Sequence, residues 1–148
     1  MAIFQTVTTS FKVECFQAIH NFGPTSPDTF KIALYTASAV LGSDTTVYST
    51  TNEVVGTGYT AGGLVLTINQ SPTAANNNSN IPTAFVEFAN AQWLNSSFTA
   101  RGALIYNASK ANRSVAVLDF GADKTVVNQP FTVVMPIATA NTAIIRIS

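Results

Sequence analysis

The chain has 148 residues, and only 9% of them carry a charged side chain, whereas about 25% do so in a typical soluble domain. Seven basic and seven acidic residues give a formal net charge of zero. The basic residues are scattered along the sequence and form no patch that would displace counterions from a phosphate backbone, so we expect no nucleic-acid partner. No apolar run approaches the roughly 20 residues of a membrane-spanning helix, so we expect no membrane partner.

The length is that of one domain, and we expect a single domain over 1–148. Cys15 is the only cysteine, which excludes an internal disulfide and agrees with a reducing compartment. The sequence does not begin with a secretion signal, so we expect the protein to be made and retained in a cytoplasm. Ser, Thr and Asn must hydrate the surface, and a weakly charged surface of this kind suits a subunit packed in an assembly.

The first predicted element is an α-helix over 11–22. Apolar side chains recur there at the spacing of one helical face: Phe11, Cys15, Phe16, Ile19 and Phe22. Thr9 or Ser10 suits the amino-terminal cap, and Gly23 followed by Pro24 suits the carboxyl-terminal end. Residues 1–10 are predicted to form an amino-terminal arm, within which residues 1–9 contact partner molecules.

After the turn residues 24–28, the pattern changes to the alternation of a β-strand. Two sets of side chains alternate there: Phe30, Ile32 and Leu34 with Lys31, Ala33 and Tyr35. Further short segments rich in Val, Ile, Thr and aromatic residues follow over 63–69, 83–89, 98–107, 114–120, 131–135 and 143–147. Short strands separated by turn residues are typical of antiparallel sandwiches. We therefore predict a mainly β fold, a β-sandwich or jelly-roll-like arrangement of antiparallel sheets, with one amino-terminal α-helix and a β-rich body over 29–148.

Two segments are predicted to be loops. Residues 42–51 are rich in Ser and Thr, and residues 71–80 end in the run Asn-Asn-Asn-Ser-Asn, which has neither apolar content nor periodicity. Long loops in a compact domain are usually functional or mobile. Both segments are therefore predicted to contact partners, and a surface loop without a role is the alternative for 71–80.

Two motifs suggest chemistry that their surroundings do not support. Residues 56–61, Gly-Thr-Gly-Tyr-Thr-Ala, fit a dinucleotide-binding pattern that needs a following helix, whereas a strand-like run follows at 64–67. We interpret these glycines as positions of a sharp turn or of close backbone contact. Residues 119–121, Asp-Phe-Gly, match a kinase triplet without its partner motifs, and we interpret them as a strand end and a turn.

Residue types that commonly carry catalysis are sparse. His20 is the only histidine, and residues five apart on a helix, such as Cys15 and His20, are not direct neighbours. A zinc site needs three or four ligands, so Cys15 is assigned a structural role. The carboxylates show no pair typical of a glycosidase. We expect no catalytic, cofactor-binding or metal-binding residues, no cofactor and no enzyme activity.

Four parts of the sequence, taken in order, carry a resemblance. They are Phe-Lys-Ile-Ala-Leu-Tyr at 30–35, Glu-Val-Val-Gly-Thr-Gly-Tyr-Thr-Ala-Gly-Gly at 53–63, Trp93 with Thr-Ala-Arg-Gly-Ala-Leu-Ile-Tyr at 99–106, and the triplet at 119–121. Together they resemble a family of small virion structural proteins of tailed bacteriophages. The resemblance runs from the amino-terminal helix almost to the carboxyl terminus, and 53–63 and 99–106 carry most of it.

The resemblance implies a particle component without a catalytic site. The role that fits best is a capsid cement or decoration protein on the head surface, a homotrimer that binds the major capsid protein and copies of itself. A tail, collar or head-to-tail connector protein is the alternative. A third hypothesis is a receptor- or carbohydrate-binding module that uses Trp93, Tyr59 or Tyr106 as stacking platforms. We interpret those aromatic side chains first as core or interface packing.

Overall fold

The computed structural model describes residues 2–148, which fold into two antiparallel β-sheets and one short α-helix. The helix α1 spans Thr9–Phe16. The strands are β1 (Thr6–Val7), β2 (Phe30–Tyr35), β3 (Leu64–Leu66), β4 (Ile68–Asn76), β5 (Pro82–Phe88), β6 (Ala91–Asn107), β7 (Arg113–Val133) and β8 (Ile145–Ile147). The predicted mainly β fold with an amino-terminal helix is confirmed.

The larger sheet has the strand order β1-β7-β6-β2-β3, and the smaller sheet has the order β4-β5-β8. A long hairpin of β6 and β7 forms the middle of the larger sheet. Thr67 alone separates β3 from β4, so the chain passes there from one sheet to the other and joins them along one side. On the other side lie the short edge strands β1 and β8, and the sandwich is open between them.

The larger sheet is buried on both faces around β2. In β2, Ile32 and Leu34 belong to the main core, whereas Ala33 and Tyr35 pack in a second cluster. The second cluster also contains Ile3, Ala39 and Leu41, which come from the amino-terminal segment and the loop after β2. Both sets of the alternating pattern are therefore interior, as in any strand whose sheet is covered on two sides.

The smaller sheet is covered by the segment that precedes β8. Phe85 packs there against Ala140 and Ala143. Glu87 is buried beside them, and its carboxylate accepts a hydrogen bond from the backbone N–H of Ile144 at 2.8 Å. Burial raises the pKa of Glu87, although backbone N–H groups of Ile144 and Phe88 act in the opposite direction.

The predicted amino-terminal arm over 1–10 is wrong for the residues that the structure describes, and Met1 lies outside them. Ile3 is buried and forms a parallel bridge with Leu41. Strand β1 pairs with β7, and Thr8 is fully buried. The segment supplies apolar cover and backbone hydrogen bonds to the larger sheet, which is a long-range role that its own short sequence does not reveal.

The helix predicted over 11–22 exists, but it begins at Thr9, with Thr8 as its cap, and ends at Phe16. Ala18 takes a left-handed φ of 54°, so the chain turns away before Gly23. Phe22 lies beyond the helix and stacks on Phe30 with ring centroids 4.2 Å apart. Phe22 is apolar because it packs in the core from outside the helix. Its position matched the helical spacing, and the predicted helix was therefore too long.

Some strand boundaries also differ from the prediction. Strand β2 and the loop over 42–51 are confirmed. The segment predicted as a loop over 71–80 is instead strand β4 as far as Asn76, because β5 pairs with it up to Asn76↔Pro82. The two strands predicted over 114–120 and 131–135 are one strand, β7, whose register against β6 shifts at several bulges. Pairing with a long neighbouring strand holds these polar segments extended despite their turn-like composition.

The glycine-rich segment 56–63 is held against two strands by close backbone contact. A Cβ atom added to Gly56 would lie 2.5 Å from the carbonyl oxygen of Ser97, and one added to Gly63 would lie 1.7 Å from that of Ile32. Gly63 also has a φ of 67°. Strand β3 follows directly, so the interpretation of these glycines as close-contact turn positions is confirmed.

Replacing Gly63 with Ala is expected to lower the free energy of unfolding by more than about 3 kcal/mol, because the new methyl group would collide with the backbone of β2. Gly42→Ala is the matched control, since a Cβ there meets only Phe4 at 3.9 Å, and its effect is expected to stay within about 0.5 kcal/mol. Urea unfolding of both variants measures the difference. Equal stabilities of the two variants would contradict the packing of this segment.

Candidate functional site

All four tyrosines of the chain lie around the buried carboxylate of Glu53. Tyr59 donates a hydrogen bond to Oε1 at 2.6 Å and Tyr48 donates one to Oε2 at 2.7 Å. The backbone N–H of Gly62 donates to Oε1 at 2.7 Å. Tyr106 stacks on Tyr48, with ring centroids 4.6 Å apart, and Tyr35 donates to the carbonyl of Ser49. Sequence reasoning missed Glu53, whose only signal was its place in segment 53–63.

This tyrosine cluster fastens the loop before β3 to the larger sheet. Tyr59 accepts a hydrogen bond from the backbone N–H of Leu34 in β2 at 2.8 Å, and Tyr106 in β6 donates one to the carbonyl of Gly62 at 2.8 Å. Each hydroxyl has a protein partner, and the carboxylate accepts three hydrogen bonds. Satisfied buried polar networks fix one conformation. The cluster therefore has a structural role: it holds this loop on the sheet, and each of its hydroxyl groups is engaged in a hydrogen bond.

Burial raises the pKa values of Tyr48 and Tyr59 well above the ordinary value, and their hydrogen bonds to Glu53 raise them further. Burial and the charge of Glu53 also raise the pKa of Tyr106 to about 12. An ionised hydroxyl could not donate to the carboxylate and would lie beside a negative charge. The folded state therefore requires protonated tyrosines.

A second polar network lies beneath α1 and contains the only histidine. Nε2 of His20 lies 2.6 Å from Oε2 of Glu14, and Arg113 donates to the other carboxylate oxygen of Glu14 at 2.6 Å. Asn107 joins Nδ1 of His20, at 3.0 Å, to Asp28, at 2.8 Å. Sequence reasoning missed the partners of His20 because the predicted helix ran on to residue 22, whereas α1 ends at Phe16 and the chain folds His20 back onto Glu14.

Asn107 fixes the tautomer of His20. Its Oδ1 accepts a hydrogen bond from the backbone N–H of Ser109, so its Nδ2 is the donor to His20 and Asp28. Nδ1 of His20 is therefore the acceptor, and the proton lies on Nε2, directed at Glu14. Both ring nitrogens are occupied and the side chain is only 1% exposed. His20 has no free nitrogen to act as a general base.

The remaining singled-out residues have local roles. Burial and then the charge of Glu14 raise the pKa of the Cys15 thiol, which agrees with the structural role assigned to it. Asp119 accepts a hydrogen bond from the backbone N–H of Gly121 at 2.8 Å and faces Arg101 at 3.4 Å. The triplet 119–121 therefore forms a bulge inside β7, where a strand end had been expected.

Within residues 2–148, no group of three or more His, Cys, Asp and Glu side chains is placed to hold a metal ion. No helix in that range is long and apolar enough to cross a membrane. Trp93 and Tyr106 are only 3% and 2% exposed, and Tyr59 is engaged with Glu53. The interpretation of these aromatic side chains as core packing is confirmed.

Large apolar side chains nevertheless remain on the surface. Phe16 and Val55 are each 94% exposed. The others with substantial exposure are Phe4, Val13, Val40, Val47, Val65, Ile81, Leu94, Val127, Val134, Ile137 and Ile147. Contiguous exposed apolar groups mark interaction surfaces in soluble proteins, so their positions decide which surfaces are candidates.

The open side of the sandwich is one such surface. A groove of about 700 Å³ lies between α1 and β8, and Val7, Phe11, Phe16 and Ile147 line it. A neighbouring groove of about 670 Å³ follows the free edge of β7 towards β8. We call this region, the surface of α1, β1 and β8 with the adjoining edge of β7, the open-side surface. Free strand edges and uncovered apolar groups occur there together.

The surface charge is unevenly distributed. No charged residue occurs between Glu53 and Glu87, a range that contains β3, β4 and most of β5. Three acidic side chains, those of Glu14, Glu53 and Glu87, are buried. The exterior is therefore poorer in charge than the composition alone indicates.

Comparisons with protein-family models, curated proteins and solved structures find no match to this chain. Its own geometry must therefore carry any functional assignment. That geometry offers two closed structural networks and several uncovered surfaces.

Raising the pH above about 10, the ordinary pKa of tyrosine, is expected to unfold the protein. The tyrosine pKa values are raised on folding, so their contribution to stability is complete below that pH and is lost as the pH rises towards the folded values. Because no tyrosine lies outside the cluster, tyrosinate absorbance and circular dichroism should change together. Tyrosinate absorbance that appears near pH 10 while the fold persists would contradict the structural role of the tyrosine cluster.

Replacing Asn107 with Ala is expected to lower the free energy of unfolding by about 2–4 kcal/mol, because Asp28, His20 and the Ser109 N–H each lose a partner in the interior. Asn69→Ala, at an exposed position of β4, is the control and is expected to change stability by less than about 0.5 kcal/mol. Denaturant unfolding compares the two. A tolerated Asn107→Ala variant would show that the network beneath α1 does not hold the fold.

Proposed function

We propose that this protein is a structural component of a tailed-bacteriophage particle and acts as a capsid cement or decoration protein. In this role it binds the major capsid protein and copies of itself, as a homotrimer on the head surface. The observation that carries the proposal is the open-side surface, where Phe16 is 94% exposed beside an apolar groove. Such a surface supports association with other subunits.

The edges of both sheets contribute to this argument. Strand β1 pairs with only two residues of β7, and β8 pairs with only three residues of β5. The outward backbone groups along much of β7 and β8 are therefore available to a neighbouring chain. Natural proteins usually cover or charge such edges. An assembly partner would supply that cover.

The scarcity of surface charge supports the same role. Burying a charged group at an interface requires its desolvation, which is costly unless a partner charge replaces the water. The uncharged range 54–86 avoids that cost over two complete strands and most of a third. Repetition around a symmetric shell then adds many weak contacts into firm attachment.

Purified particles are expected to contain the protein in numbers on the order of hundreds, as the symmetry of a head shell requires. Quantitative mass spectrometry against the major capsid protein measures this number. A few copies per particle, or a single ring of copies, would instead support the alternative of a tail, collar or connector protein.

Phe16→Asp is expected to reduce occupancy on the shell by about tenfold or more, because a charge would enter the apolar open-side surface. Ala111→Asp adds the same charge at an exposed position of the turn between β6 and β7, away from the grooves of the open-side surface, and serves as the control. Sedimentation of each variant with empty shells gives the occupancy. Equal occupancy of the two variants would exclude the open-side surface as the contact.

A further inference from the structure

A separate cleft of about 930 Å³ lies over the outer face of the larger sheet, between the amino-terminal segment and the loop after β2. We propose that this cleft binds a neutral saccharide and that Phe4 is its stacking platform. Its rim carries exposed polar side chains: Ser38, Asp44, Thr46, Ser49, Thr51 and Asn52. The proposal does not depend on the assembly role, because no residue that lines the cleft also lines the grooves of the open-side surface.

Phe4 presents its aromatic ring to solvent from a hydrogen-bonded backbone. It is 67% exposed, yet its backbone N–H donates to the carbonyl of Leu41 at 2.9 Å. Leu41 in turn donates to the carbonyl of Ala2 at 3.3 Å. The Phe4 side chain lies beside Gly42, and a Cβ atom added there would meet it at 3.9 Å, an ordinary contact distance. The apolar C–H face of a sugar ring packs against such an aromatic face, and the backbone that carries Phe4 is held in place before any ligand binds.

The polar rim suits an uncharged ligand rich in hydroxyl groups. Serine, threonine and asparagine side chains both donate and accept hydrogen bonds, as sugar hydroxyls do. Asp44 is the one charged side chain among those that line the cleft, so no cation is present to attract an anionic ligand such as a nucleotide or a sialylated sugar. The site therefore selects neutral saccharides.

The loop that carries this rim is held in place before any ligand arrives. Gly42 and Thr45 exchange two hydrogen bonds, of 3.0 Å and 3.1 Å. The Asn52 side chain donates to the carbonyl of Ser38 at 3.1 Å, and Tyr35 in the floor donates to Ser49 at 2.6 Å. A concave, pre-formed site of this size falls within the range of about 300–1,000 Å³ that small ligands occupy. These features favour a saccharide over a protein partner.

The test is binding of the full chain to an array of neutral and sialylated oligosaccharides, followed by saturation-transfer NMR with each oligosaccharide that binds. We expect at least one neutral oligosaccharide to bind with a Kd of about 1 mM or tighter, and the sialylated ones not to bind. Phe4→Ala is expected to weaken binding about tenfold or more, through loss of the stacking face. Leu94→Ala changes a large apolar side chain outside the cleft with a similar exposure of 64%, and this variant is expected to bind as the unchanged protein does.

Three outcomes would overturn the proposal. The first is that no neutral saccharide binds. The second is that Phe4→Ala leaves saccharide binding unchanged. The third is that Phe4→Ala leaves saccharide binding unchanged and also changes the oligomeric state or the shell occupancy. The last would assign the cleft to a protein partner. Unfolding curves test whether Phe4→Ala is folded. The copy number per particle is measured independently, so failure of the saccharide proposal is distinguishable from failure of the assembly role.

Discussion

Strand β2 is buried on both of its faces, and much of the molecule serves to cover them. The smaller sheet covers one face, with Ile32 and Leu34 in the core between the sheets. The other face is covered by irregular backbone, whose polar groups need partners once water is excluded. The carboxylate of Glu53 and the hydroxyls of the four tyrosines meet that need by tying the covering loop to β2 and β6.

The same use of buried hydrogen bonds to hold covering segments explains where the acidic side chains lie. Glu14, Glu53 and Glu87 are buried, and each accepts hydrogen bonds that hold a loop or a helix on a sheet. Carboxylates used in this way are absent from the exterior. The exterior is therefore sparsely charged and hydroxyl-rich, so it can be covered by neighbouring molecules with little desolvation of charge. The internal networks and the proposed assembly role are thus two consequences of one distribution of charge.

The open-side surface and the cleft beside Phe4 differ in the partners that they suit. The former is extended, is bordered by free strand edges and carries exposed apolar side chains such as Phe16 and Ile147 beside Lys12 and Arg146, which suits contact with other protein subunits. The latter is concave, has one exposed ring, and combines a rim of hydroxyl and amide groups with exposed Val40 and Val47, which suits a small neutral ligand. The grooves of the open-side surface share no lining residue with the cleft, so the proposed shell contact and the proposed saccharide site use different side chains.

The sequence by itself determined the mainly β fold, strand β2, the loop over 42–51, the close packing of the glycine-rich segment and the burial of Trp93 and Tyr106. These follow from local signals: alternation, turn residues, glycine and large aromatic side chains. Only the tertiary structure decided that α1 ends at Phe16, that residues 2–8 belong to the body, and that β7 runs unbroken to Val133. It also brought Glu53 to the tyrosines, His20 to Glu14 and Phe4 to the rim of the cleft. Each of these depends on contacts between residues distant in sequence, whose free energy outweighs local preference.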